Sequence, residues 1–146
     1  MSQQGPAKQP PEEEKEFKII SNAKELAKHT RRMTSARRFP KRFADLVRRM
    51  NDTALEIFER VQEANELDLA DPAEARERRY HQRKSMTKCK TMLFFIEQAR
   101  ESDLISKEQC EEWARKVLDV KRPVATWTKQ DRGRAADYQR RNAPRR

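Results

Sequence analysis

Apolar side chains recur along most of this chain with a period near 3.6 residues, the spacing that lines up one face of an α-helix. Ile19, Ala23, Leu26, Ala27, Thr30 and Met33 follow it and predict a first helix that begins between Phe17 and Asn22 and ends near Ser35. Arg38-Phe39-Pro40-Lys41 interrupts the pattern, because a proline disfavours helical backbone at the residue before it. Phe43, Leu46, Val47, Met50, Ala54, Ile57, Phe58, Val61 and Ala64 then form the stripe of a second helix, from about Lys41 to Leu67.

The third helix has a local start signal. Asp71 is placed to cap it, Pro72 suits the first helical position, and Glu74 completes a capping-box pattern. It is expected to run to about Glu101 with Ala75, Met86, Cys89, Leu93 and Ile96 on one face. Gln82 shares that face, either as a buried polar group that fixes register or as one side of an interhelical hydrogen bond. A second capping box, Ser106 with Gln109, opens the fourth helix, and Ile105 and Cys110 are spaced as its hydrophobic staple. Cys110, Trp113, Ala114, Val117, Leu118, Val120, Val124 and Trp127 are expected to face inward, and Pro123 to kink or end the helix.

Short links between helices favour antiparallel neighbours. The expected fold is therefore all-α, an antiparallel up-down-up-down four-helix bundle over residues 17–128. A disordered, acidic, Pro-rich tail (1–16) precedes it and a basic tail (129–146) follows. The chain shows no internal repeat. Composition agrees with this class: two Gly among 146 residues leave little material for the tight turns of a sheet. With 35% hydrophobic and 40% charged residues, the chain can coat one face of several helices but cannot fill a multilayered core.

Charge narrows the choice of partners. The formal net charge is +10, which favours a polyanion. The excess is uneven: residues 18–50 carry eleven basic and two acidic side chains, residues 51–70 one and six, and residues 129–146 seven and two. No apolar run approaches the roughly 18 residues of a membrane span. The polar N-terminus does not read as a secretory signal, and Cys89 and Cys110 read as free thiols, so a cytoplasmic location is expected.

Catalysis has little support. His29 and His81 are the only histidines, and there is no Cys-x-x-Cys or His-Glu-x-x-His spacing for a metal. A phosphate-cradling Gly-rich loop and a nucleophile-elbow serine are also missing. Glu56, Glu59, Glu63 and Glu66 cluster, but neither histidine has the Glu three residues before it that a di-iron bundle would use. No catalytic residue, metal, cofactor or small-molecule substrate is expected.

The basic groups are more informative. Arg31, Arg32, Arg37, Arg38, Lys41 and Arg42 surround the first turn of the bundle, with Arg48 and Arg49 close behind. Arg76, Arg83 and Lys90 recur every seven residues as one stripe, which Lys84 and Lys88 widen. Arg132, Arg134, Arg140, Arg141, Arg145 and Arg146 accompany Tyr138 in the C-terminal tail, where Tyr138 is a candidate for stacking on a base. Arg dominates these sets, and its planar fork suits phosphate. Phosphate binding is expected to be carried mainly by Arg31, Arg32, Arg37, Arg38, Arg48 and Arg49. Phe94, Phe95 and Trp127 are candidates for an apolar surface used in self-association.

The order of elements resembles a known group: a helix, Arg38-Phe39-Pro40-Lys41, a second helix ending in Glu63-Ala64-Asn65, a long third helix, then Ile105-Ser106 opening a helix with Trp113 and Trp127. Over about residues 18–130 this is similar to the four-helix-bundle family of the accessory variability determinants of diversity-generating retroelements and of proteins encoded in intervening sequences of 23S ribosomal RNA genes. The resemblance implies barrel-shaped homopentamers that bind a reverse transcriptase and its template-repeat RNA and support mutagenic cDNA synthesis. It transfers no catalytic residue. Two other classes stay open: a DNA-binding, relaxosome-like accessory of another mobile element, and an oligomeric scaffold that binds only proteins.

Overall fold

A computed structural model of the chain describes residues 12–35 and 37–143. It contains four α-helices: α1 (Glu12–Met33), α2 (Ala44–Glu66), α3 (Pro72–Glu101) and α4 (Lys107–Asn142), with a 3-10 turn at Lys41–Phe43 before α2. Among the described residues there is no strand. Each helix packs on its neighbours in the chain, and α1 closes the ring against α4. Cross-links run antiparallel: Asn51 bonds Thr34 between α1 and α2, Arg60 meets His81 between α2 and α3, and Trp113 bonds Thr30 between α4 and α1. The all-α up-down-up-down bundle is the observed fold.

The core lies along the bundle axis. Leu26 of α1, Met50, Ile57 and Val61 of α2, Met92 and Ile96 of α3, and Trp113, Val117, Val120 and Val124 of α4 are all buried. Trp113 Nε1 donates to Thr30 Oγ1 at 3.1 Å, so the largest buried ring also satisfies its one polar atom. The helix ends follow from local chemistry. Asp71 Oδ2 accepts from the Glu74 backbone N–H at 3.2 Å. The Glu74 carboxylate does not return to Asp71; it accepts from Asp68 N–H, because the Asp71 N–H is already held by the Asp68 carbonyl. Ser106 and Gln109 form both halves of the expected capping box. α3 ends in a Schellman motif: Leu104 N–H reaches the Ala99 carbonyl and Asp103 N–H the Arg100 carbonyl. Asp103 takes the left-handed position at φ 59°, where a glycine would be unstrained.

Three expectations need correction. α1 starts at Glu12, so residues 12–16 of the expected N-terminal tail are helical, and the rest of that tail lies outside the described residues. α4 does not end at Pro123. It continues to Asn142, so most of the stretch expected as a separate basic tail is helix. Proline removes the N–H that would bond the Asp119 carbonyl; Asn22 Nδ2 of α1 donates to that carbonyl instead, at 3.3 Å. Burial of Val120, Val124 and Trp127 on both sides of Pro123 offsets the remaining cost.

The buried face of α3 also differs. It carries Arg78, His81, Gln82, Ser85, Cys89, Met92, Ile96 and Ala99. Its first three turns therefore bury polar side chains. The interhelical hydrogen bond anticipated for Gln82 is present: its Nε2 donates to Asp131 of α4 at 2.7 Å.

Candidate nucleic-acid interface

The cations of the chain fall into two kinds: those with a carboxylate beside them and those without. In the α1–α2 hairpin, Arg32 pairs with Glu25 at 3.1 Å, and Arg48 and Arg49 share Asp45 at 2.5 and 3.0 Å. The bond from Arg48 holds the Asp45 carboxyl below the usual range, with Arg49 adding to it. Arg42 packs its guanidinium 4.9 Å from the Phe43 ring centre. Arg31, Arg37, Arg38 and Lys41 are exposed and have no carboxylate partner among the described residues. Exposed pairs of this sort add little to stability, because water screens them and ordering both side chains costs entropy. Their effect on an incoming phosphate is larger, because Asp45 sits between the two guanidiniums and repels it.

The α3–α4 face is different. Arg83, Met86, Thr87 and Lys90 of α3 line one wall of a groove of about 340 Å³, and Lys121, Arg122 and Ala125 of α4 line the other. No carboxylate lines it, and none of its four cations has an acidic partner among the described residues. Towards the N-terminus of α3 the same face continues through Arg76 and Arg79, opposite Arg132. The seven-residue stripe Arg76, Arg83 and Lys90 is thus one edge of a two-sided basic groove. Seven residues of helix rise about 10 Å, so the stripe extends about 20 Å along the bundle.

The α1–α2 cations belong to the other pair of helices, with Arg32 on the α1–α4 side, where its partner Glu25 also lies 3.9 Å from Lys116. The expected phosphate contacts therefore form two separate groups, not one surface. Of the remaining expected positions, Lys84 lies 5.6 Å from the Tyr80 ring centre and Lys88 pairs with Glu56 at 3.3 Å. Arg134 Nη2 donates to Asp131 at 3.2 Å, and Arg140 pairs with Asp137. Arg141 is exposed near the end of α4, and Arg145 and Arg146 lie outside the described residues. Arg79, Lys121 and Arg122 were not singled out in the sequence. Arg79 stands three residues after Arg76, a spacing that could have revealed it. Lys121 and Arg122 adjoin Pro123, the residue expected to kink or end the helix.

Other chemistry is poorly provided for. Cys89 is buried, which pushes its thiol up to about 12, and burial raises Cys110 as well, so neither is a ready thiolate. His29 is nearly buried, and burial together with Lys116 lowers its pKa. Trp127, expected as a candidate interface residue, is buried beneath Arg78, whose guanidinium lies 4.8 Å from its ring centre. Phe94 remains 55% exposed. Among the described residues no three His, Cys, Asp or Glu side chains gather in a way that could hold a metal ion. Among the same residues, no helix is long and apolar enough to cross a membrane. No protein-family description, curated protein or solved structure matches the chain, so the reading of this groove stands on its geometry and charge.

Proposed function

We propose that the chain is a non-catalytic nucleic-acid-binding accessory protein that lays RNA along the α3–α4 groove and serves a reverse transcriptase, in the manner of a diversity-generating retroelement. One observation carries the nucleic-acid part: Arg83, Lys90, Lys121 and Arg122 face one groove with no carboxylate among its lining residues. A strand of phosphates is the ligand that such a groove attracts along its whole length. The reverse-transcriptase client and a homopentameric assembly rest on the sequence resemblance alone.

A second reading, an oligomeric scaffold that binds only proteins, is favoured by Phe94, which is 55% exposed beside Phe95 on α3. Purification of the tagged chain from its native host, with sequencing of bound nucleic acid and identification of bound proteins, separates these readings. The proposal expects a defined RNA together with a reverse transcriptase. Recovery of DNA with a relaxase would replace it with the DNA-binding reading. Recovery of proteins with no nucleic acid would favour the scaffold.

A further inference from the structure

Beyond the basic groove, the same face ends in a smaller, better enclosed cavity of about 190 Å³ between the first turns of α3 and the last turns of α4. Its walls include Leu69, Pro72 and Ala75 on one side and Ala135 and Ala136 on the other. Arg76, Arg79 and Arg132 also border it, and Gln82 and Asp131 are its buried polar residues.

The hydrogen bonding of those two residues is uneven. Asp131 is saturated: Oδ2 accepts from Arg78 Nε and Gln82 Nε2, and Oδ1 accepts from Arg78 Nη2 and Arg134 Nη2. A carboxylate between two guanidiniums only accepts, so the Gln82 nitrogen must point at it. That fixes the amide orientation and leaves Gln82 Oε1 as the other polar atom. Gln82 is 1% exposed, and its Oε1 has no hydrogen-bond partner. A buried acceptor without a donor costs roughly as much as a lost hydrogen bond, so a ligand that supplies an N–H is favoured there. The cavity is far larger than the ~10–15 Å³ needed for one water and smaller than the ~300–1,000 Å³ of sites for drug-sized ligands.

We propose that this cavity takes one unpaired nucleobase of the strand bound on the α3–α4 face. The base enters between the apolar walls, the side chains that seal Gln82 Oε1 from solvent give way, and the base donates an N–H to it. Arg76, Arg79 and Arg132 hold the flanking phosphates. A bare phosphate would satisfy the arginines but would bring another acceptor to Oε1. A purely apolar group would leave Oε1 unsatisfied and the arginines unused. A base joined to phosphate meets all three demands. The inference rests on the nucleic-acid reading and adds to it a reason for base contact, where the groove alone offers only backbone contact.

The test uses the full chain and a single-stranded oligoadenylate of about ten nucleotides, within the usual site size of single-strand grooves. Its partners are the same strand with abasic positions at its centre, and free adenosine monophosphate. The wild-type protein is expected to bind the intact strand about tenfold more tightly than the abasic one, a difference of about 1.4 kcal/mol. Ala136→Phe, at an exposed position on the cavity wall, fills the space and leaves every residue of the Asp131 network unchanged. It is expected to bind both strands equally while keeping the salt dependence. Gln82→Met is expected to do the same, and Ala136→Phe decides the matter if Gln82→Met does not fold. Equal wild-type binding of both strands, both salt-dependent, overturns the base site and leaves the groove intact. Unchanged discrimination in Ala136→Phe also overturns it, because the base then sits elsewhere. Adenosine monophosphate binding as tightly as the strand overturns the strand as the source of the base. If the wild-type protein binds neither strand at low salt, the base site and the proposed function fall together.

Discussion

Arg78 and Asp131, 53 residues apart in sequence, form a buried two-point ion pair, with Nε to Oδ2 at 2.7 Å and Nη2 to Oδ1 at 3.0 Å. Both side chains are 7% exposed. Arg78 also donates to the Leu67 carbonyl at 3.2 Å and covers Trp127, so one guanidinium ties the end of α2, the start of α3 and the last third of α4. The pair lies beyond Pro123 in α4. Together with buried Val124 and Trp127 and the Gln82 bond to Asp131, it keeps the helix beyond the proline on the bundle, and with it Arg132 on the α3–α4 face.

Removing one partner of a buried pair leaves the other charge without compensation, which costs about 3–5 kcal/mol. Asp131→Ala is therefore expected to lower stability by about that amount in urea unfolding. Asp137→Ala, at an exposed site one turn and a half further on, is expected to stay within about 0.5 kcal/mol of wild type. A loss under about 1 kcal/mol for Asp131→Ala would mean that α4 is held by its apolar contacts alone.

His29 gives the fold a dependence on pH. Its ring meets Trp113 edge-on with centroids 6.0 Å apart, and its Nε2 has no hydrogen-bond partner. Burial and Lys116 disfavour the charged ring, so its folded pKa lies below the ordinary 6.5, against the weaker opposing pull of Glu112. The unfolded chain then takes up a proton first as pH falls. The stability that His29 contributes is present above about 6.5 and is lost as pH falls from there through the lower folded value. His29→Phe keeps an edge-on ring and removes the proton site. Thermal melts are expected to show a smaller loss for this variant than for wild type between about pH 7.5 and about pH 5. Parallel losses in the two proteins would count against this account.

Much of the fold was legible because its signals are local. The stripes Leu26–Met33 and Met50–Val61, the cap at Asp71 and the capping box at Ser106 each declare an element within a few residues. What was not legible depends on distant partners. A proline inside a helix costs about 3 kcal/mol in isolation. No local pattern shows that Asn22 occupies the Asp119 carbonyl or that Asp131 anchors the helix beyond. The burial of Arg78, His81 and Ser85 is hidden for the same reason, since a charged residue buried by pairing looks like a solvated one in sequence. The basic stripe Arg76, Arg83 and Lys90 was legible, but its opposite wall was not. Lys121 and Arg122 face it because of how α4 packs on α3, and Arg132 joins that wall only because α4 runs on past Pro123.

The most direct measurement is a salt titration of single-stranded RNA binding by three proteins: wild type, Arg83→Glu/Arg122→Glu in the groove, and Arg48→Glu/Arg49→Glu in the hairpin. Each phosphate contact on a single strand contributes about 0.7 to the slope of log affinity against log salt. The account predicts that the groove variant binds far more weakly, with a slope flatter by about 1.4 for two lost contacts. The hairpin variant should change less, because Asp45 already opposes phosphate there. A groove variant that keeps wild-type affinity and slope while the hairpin variant loses both would contradict the account.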